Sequence, residues 1–427
     1  MIDIIKNALA ACGVSQYRIN ESCVETAELF FVRRNLDMRR INESCSRTVT
    51  VFREFESGET ACKGYTGVAI HPGMTENEII KVISDAYNSA QYVKNPTFEP
   101  MSGRKADHIP SDSDLALRTL QESAGLMTAA LYREDKAEDA FINSAEVFVT
   151  RSDERIITSE GVDVSYTSYK VSGEFVVQCV FPEDVEMYHS FSYDSLDADA
   201  LAAKAAEAIE IVRDRAKAKE NPKGGQYTVL LSGNYVNELL GFYSDRASAY
   251  FIYPGYSDYK LGTRVQGDAV VGEKVSITGC AVEPYSPEGI PMIDREIIAD
   301  GEVKLIPGST RFCRYLGVEP TGDYSKISCS NGSMSFEDMK KAGRCLYVVS
   351  MSDFQTDAFS GRFGGEIRLA YLYDGGSVTL LTGGSINGSL LECQNDLVFS
   401  TERYTSARYD GPFAVMLKGV NVAGSEE

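Results

Sequence analysis

Hydrophobic positions recur along this chain with two different periods, and the switches between them mark its elements. Ile2, Ile5, Leu9 and Cys12 fall at helical spacing and predict an amphipathic first helix. Ala27 to Arg33 reads as a strand, and Thr48 to Phe55 alternates with period two as another. Lys63 to Ile70 is a third, ended by His71-Pro72-Gly73. Thr75 and Glu78 then form a capping box, in which each side chain satisfies a free backbone N–H of the first turn. The helix it opens carries Ile79, Ile80, Val82, Ile83 and Tyr87.

A polar, Pro-containing stretch at 94–113 predicts a linker. Beyond it, Asp114 to Leu131 reads as a helix, and Ala145 to Thr150, Glu154 to Thr158 and Ser165 to Phe181 read as strands. Asp197 caps a helix predicted from Ala198 to Lys219, with Leu201, Ala205, Ile209, Val212 and Ala216 as its buried stripe. Arg213, Arg215, Lys217 and Lys219 cluster at its end, where cations complement the helix dipole. Asn221 to Gly225 marks a second boundary. The remainder of the chain is rich in glycine and short strand patterns: Tyr227 to Leu231, Lys274 to Ile277, Tyr347 to Met351, Ile367 to Tyr373, Val378 to Leu381 and Ala414 to Leu417. Ser335 to Met339 starts one short helix. Many strands joined by Gly-rich turns imply a curved sheet or barrel. The pattern therefore predicts an α+β protein, with two N-terminal α+β modules at 1–105 and 106–222 and a β-rich, barrel-like C-terminal domain at 223–427.

Charge narrows the function. Lys and Arg number 42 against 62 Asp and Glu, a net charge of −20. Phosphate contacts need clustered basic residues, so no nucleic-acid partner is expected. No apolar run approaches the roughly 20 residues that span a bilayer, so no membrane partner is expected either. Leu9-Ala10-Ala11-Cys12 resembles a lipoprotein cleavage box, but Asp3 and Lys6 interrupt the stretch before it and no basic leader precedes it. The ten cysteines form no C-x-x-C pair and are spread through a long chain, so reduced, mostly buried thiols and a cytoplasmic location are expected. One oddity has no counterpart in these patterns: Arg18-Ile19-Asn20-Glu21-Ser22-Cys23 recurs unchanged as Arg40-Ile41-Asn42-Glu43-Ser44-Cys45.

Candidate chemistry is sparse. The histidines are His71, His108 and His189. A Ser–His–Asp or Cys–His hydrolase needs an imidazole beside its nucleophile, and these three are scattered. His71 precedes proline in a turn, His108 lies in the linker, and His189 follows Tyr188 in a strand-rich stretch as a satisfied core or surface residue. Gly383 to Gly388 lacks the lysine of a phosphate-binding loop.

The third region, together with one stretch of the second, carries a resemblance. Thr158-Ser159-Glu160-Gly161 and Tyr285-Ser286-Pro287-Glu288-Gly289-Ile290-Pro291 resemble elements of the TldD/PmbA family, the modulators of DNA gyrase. So do Ile298 to Gly301, Leu316 to Gly322, Asp357 to Gly361 and the ending Gly411 to Gly424, in the same order. One kind of family member carries H-E-x-x-x-H on a helix, which sets two imidazoles on one face to bind Zn²⁺ with the glutamate as general base. A cysteine near the C-terminus is the third ligand, and the other kind lacks the motif and acts as partner. Here the corresponding stretch reads Asn237-Glu238-Leu239-Leu240-Gly241-Phe242. Asn237 and Phe242 stand at the degenerate ligand positions, and Arg408 to Pro412 stands where the cysteine would fall. No metal and no other cofactor is expected. Glu238 is then either a residual catalytic base or a helix residue, solvated or paired with Arg246. Val236, Leu239, Leu240 and Tyr243 keep an apolar face, so the helix is expected to persist.

The resemblance implies a TldE/PmbA-type, zinc-free subunit of a metallopeptidase system, inactive alone, which binds and helps process unstructured peptides. Its partner would be a zinc-bearing TldD-like subunit or a second copy of itself. The alternative is a self-associating, non-catalytic peptide-binding protein.

Overall fold

The computed structural model describes residues 1–103 and 105–424; Arg104, inside the first linker, and the last three positions of the third region lie outside the described residues. The architecture is mixed α and β, with a closed barrel in the C-terminal region.

The first two regions build one six-stranded antiparallel sheet. Its strands are β1 (Gln16–Val32), β2 (Asn35–Ser57), β3 (Thr60–Ala69), β4 (Ala140–Thr158), β5 (Asp163–Cys179) and β6 (Val185–Tyr193), in the order β3-β2-β1-β4-β5-β6. Several predicted strands are thus parts of longer ones. Ala145 to Thr150 and Glu154 to Thr158 are both β4, which runs unbroken because Arg151 to Asp153 stay paired to β1 and β5.

Helices cover one face of this sheet in two groups. At one end, α1 (Ile2–Ala11) and α2 (Glu76–Ala90) bury Ile5, Leu9, Ile79 and Ile83 against Ile19, Val49, Val51 and Ile157. The Thr75–Glu78 capping box opens α2 as expected. At the other end, α3 (Leu120–Leu131) and α4 (Ala198–Lys217) cover Ala27, Val147, Val149, Val171 and Phe175. Asp114–Leu117 is a separate 3₁₀ turn, because Arg118 is extended and Thr119 begins α3 with its own capping box to Glu122. His189 lies on the covered face, stacked on Phe175 at 5.3 Å. Its Nε2 is buried without a hydrogen-bond partner, so the expectation of a satisfied histidine fails. Burial depresses it to about 4, Lys204 adding to the effect.

The duplicated hexapeptide acquires a geometry. Cys23 and Cys45 face each other across β1 and β2 and are joined as a disulfide, against the expectation that every thiol is free. The local dyad of this antiparallel pair carries Arg18 onto Arg40, Glu21 onto Glu43 and Cys23 onto Cys45. Sequence identity is not matched by environment: Ile19 is 0% exposed and Ile41 is 54% exposed.

The third region begins with β7 (Gly225–Ser232), then α5 (Asn234–Ala247) and α6 (Ala249–Ile252). A small sheet follows from β8 (Ile277–Cys280), β9 (Arg295–Ala299), β10 (Glu302–Val303) and, after α7 (Thr310–Leu316), β11 (Lys326–Cys329). The predicted strand at Lys274 to Ile277 starts only at Ile277, since the backbone N–H of Val275 donates to the Gln266 side chain at 2.8 Å. After α8 (Phe336–Lys341) come β12 (Cys345–Thr356), β13 (Arg362–Asp374), β14 (Ser377–Leu381) and β15 (Ser385–Ser389). The chain ends through α9 (Leu390–Cys393), β16 (Val398–Phe399), β17 (Arg403–Thr405), β18 (Tyr409–Pro412) and β19 (Ala414–Ala423).

Strands β12, β7, β19, β15 and β13 pair in sequence, and β13 pairs back to β12, which closes the circuit. Close packing explains glycine at a key point: a Cβ on Gly388 of β15 would sit 2.5 Å from the Phe363 ring of β13. The small sheet runs β10-β9-β8-β11-β18-β17, and α5 is wedged between it and the barrel. The bare face of the large sheet meets the third region through Ile156, Val164 and Tyr166 against Tyr285, and through the Arg18–Glu288 ion pair at 3.3 Å. No helix among the described residues is long and apolar enough to cross a membrane.

Candidate functional site

Helix α5 follows β7 through Gly233, whose φ of 60° suits a residue without Cβ. Its apolar face is the one expected: Val236, Leu239, Leu240 and Tyr243 are all buried. Its other face opens on a cleft of about 210 Å³ lined by Asn237, Glu238, Phe242, Asp245, Thr356 and Arg408, among others. The structure thus brings the two degenerate positions, Asn237 and Phe242, and the retained Glu238 together with Arg408, which comes from the loop before β18.

Each position has a distinct environment. Glu238 is exposed. It does not pair with Arg246, which is committed to Asp258 at 2.7 Å and stacks over the rings of Phe242 and Tyr259. Asn237 is half-buried, and its amide donates to the Asn234 side chain at 3.4 Å. Phe242 is 1% exposed and packs edge-on against Tyr243. A Cβ on Gly361 would lie 3.1 Å from its ring, so this wall is filled by hydrocarbon.

Asp245 is the residue that motif reading missed. It stands seven positions after Glu238, two helical turns along the same face, and that spacing was visible in the sequence. By surface area the residue is exposed. Desolvation raises its carboxyl above the usual carboxylate range, and the charge of Glu238 raises it further. Thr356 adds a hydroxyl that is buried without a partner. A second hollow of about 280 Å³ continues from the first, sharing Ser244, Asp245, Tyr324 and Ile327 with it. Tyr250, Phe251 and Phe312 give it an aromatic wall.

This donor set does not fit zinc. An amide oxygen is a poor ligand for Zn²⁺, a phenyl ring is none, and a guanidinium repels the ion. Among the described residues, the cluster of His, Cys, Asp and Glu atoms close enough to share an ion is Glu21, Cys23 and Cys45, in the large sheet. No hydrolytic step through a metal follows from the α5 cleft.

Fold and cleft together define a metallopeptidase-like scaffold. Residues 224–424 match the family model of the PmbA/TldA metallopeptidase C-terminal domain, so the third region is a domain of the TldD/PmbA family. No curated protein sequence matches the chain. Among solved structures, a proposed modulator of DNA gyrase from Thermotoga maritima superposes with a TM-score of 0.76 at 16% identity, covering 99% of this chain and 100% of its own. A proposed modulator of DNA gyrase from Bacteroides thetaiotaomicron gives 0.75 at 16% identity over 99% of both chains. TldE from Thermococcus kodakarensis gives 0.76 at 13% identity, covering 99% of this chain and 100% of its own. At these identities the likeness establishes the fold.

Proposed function

We propose that this chain is the zinc-free, TldE/PmbA-type subunit of a peptidase system, one that holds unstructured peptide in the α5 cleft. The observation that carries this reading is the cleft itself. It keeps the helix, the glutamate and the open space of the family motif, while amide, phenyl and guanidinium groups stand at the ligand positions. Its chemistry suits a peptide better than an ion. The Arg408 guanidinium offers hydrogen bonds to backbone carbonyls, and the aromatic hollow accepts an apolar side chain. Asp245 and Glu238 disfavour acidic segments. The hydrolytic chemistry then belongs to a zinc-bearing TldD-like subunit, paired with this chain in the cytoplasm.

The test is co-expression with a relative that carries intact H-E-x-x-x-H, followed by co-purification and cleavage of an unfolded polypeptide. Cleavage is expected from the pair and not from this chain alone. Tight one-to-one zinc on the isolated chain, or cleavage by it that disappears in Glu238→Ala, would overturn the reading. Peptide binding by a homodimer that ignores the zinc-bearing relative would favour the self-associating alternative.

A further inference from the structure

The dyad-related cysteines form a second site, remote from α5 in the fold. Cys23 and Cys45 point to the face of the large sheet that carries the helices, since they share strand parity with Ile19 and Ala27. They belong to neither helix-covered core. The α1–α2 pair covers Ile19, α3 and α4 cover Ala27, and the cysteines lie half-buried in the gap between. That gap is floored by charge: Glu21 pairs with Arg47 on one side of the cysteines, and Glu25 faces Glu43 on the other.

Arg47 decides the chemistry. Its Nη2 lies 3.2 Å from Cys45 Sγ, while its Nε holds the Glu21 carboxylate. A guanidinium at that distance stabilises thiolate over thiol. The same cation occupies the one carboxylate that could complete a metal site with the two sulfurs, so thiol chemistry is favoured over metal binding. Elsewhere the opposite holds: burial pushes up the thiols of Cys12, Cys280, Cys313, Cys329, Cys345 and Cys393.

Position gives the pair a consequence. Strand β3 pairs with β2 only from Thr48 onward, and the Ile70 N–H that follows it donates to the Arg47 carbonyl at 2.8 Å, so residues 35–46 of β2 are held to the sheet by β1 alone. Residues 35–44 are exposed throughout, Leu36, Met38 and Ile41 among them. The Cys23–Cys45 bond sits at the root of this arm.

We propose that Cys23 and Cys45 are a reversible thiol–disulfide site, read by low-molecular-weight disulfides such as oxidised glutathione, which fixes the β2 arm to β1 when oxidised. The Cys45 thiolate attacks one sulfur of the small disulfide, forming a mixed disulfide and releasing one small thiolate. The Cys23 thiolate then attacks Cys45 Sγ and releases the second. The protein loses two electrons and two protons, and the small disulfide is reduced to two thiols.

The test equilibrates the full-length folded chain in glutathione buffers of graded ratio, blocks free thiols by alkylation and maps them by peptide mass spectrometry. Cys23 and Cys45 are expected to lose reactivity together as the buffer becomes oxidising and to regain it on reduction, while the other eight cysteines do not change. In the reduced protein, Arg47→Gln is expected to slow Cys45 alkylation about tenfold at pH 7 and not at pH 10, the signature of a thiolate rather than of a packing change. Amide exchange over residues 36–44 should rise several-fold on reduction. Two thiols that stay free in oxidised glutathione, a bond that reducing buffer cannot open in the native protein, or one equivalent of zinc that protects both from alkylation would each overturn the proposal.

Discussion

The large sheet and the barrel solve the problem of unpaired strand edges in opposite ways. Five barrel strands close on themselves, so that circuit has no edge, and α5 is clamped against it. The large sheet stays open. Its helices cover two patches of one face and leave the β2 arm bare on both faces and along one edge. The lesson is a division of labour. The closed half supplies a rigid wall for a cleft, and the open half supplies surface whose order depends on few contacts.

Substitutions can break this contrast. The largest effect is expected in the closed half: Phe242→Ala removes a ring that is 1% exposed and wedged by Gly361, at a cost of about 3–5 kcal/mol in urea unfolding. A cost below about 1 kcal/mol would mean that the cleft wall is pliable, and the rigid-wall picture would fail.

An intermediate effect belongs to the covered part of the sheet. The folded protein keeps His189 neutral down to about 4, whereas the unfolded chain protonates it near 6.5. Stability is therefore intact above pH 6.5 and falls as pH drops from there to about 4, by up to roughly 3 kcal/mol. His189→Phe should abolish this component of the acid sensitivity, as followed by thermal melts across that range. An unchanged pH profile would assign the sensitivity to carboxylates instead.

The smallest effect is expected in the arm. Ile41→Thr, at a side chain 54% exposed, should move stability by less than about 0.5 kcal/mol. A larger loss in equilibrium unfolding would show that the arm is packed.

The contrast also decides what the sequence could disclose. Local devices were legible: the Thr75–Glu78 box, the stripe of α4 and the buried face of α5 all follow from spacing within one element. The Arg118 break was legible too, because Thr119 and Glu122 spell a second capping box, but the apolar periodicity of 114–131 masks it. Strand partnership was not. Alternation says which face a residue occupies and nothing about its neighbour, so the union of β1 with β4 in one sheet could not be read. The dyad of the repeated hexapeptide was hidden for the same reason. At the α5 site, residue types spoke clearly against a metal. The nearness of Arg408 and Thr356 to Glu238 needed the tertiary fold, since they arrive from distant loops and strands.

The ladder joining Arg18–Val32 to Ser144–Thr158 sets an order of events when the protein is made. Residues 33–143 lie between its two sides, so its closure costs more chain entropy than any adjacent hairpin. During synthesis β1 to β3 leave the ribosome as a meander whose inner edge has no neighbour until β4 emerges. For that interval the nascent chain presents an incomplete β template, and the acidic excess of the finished chain gives it no protection, because basic and acidic residues balance over residues 1–69.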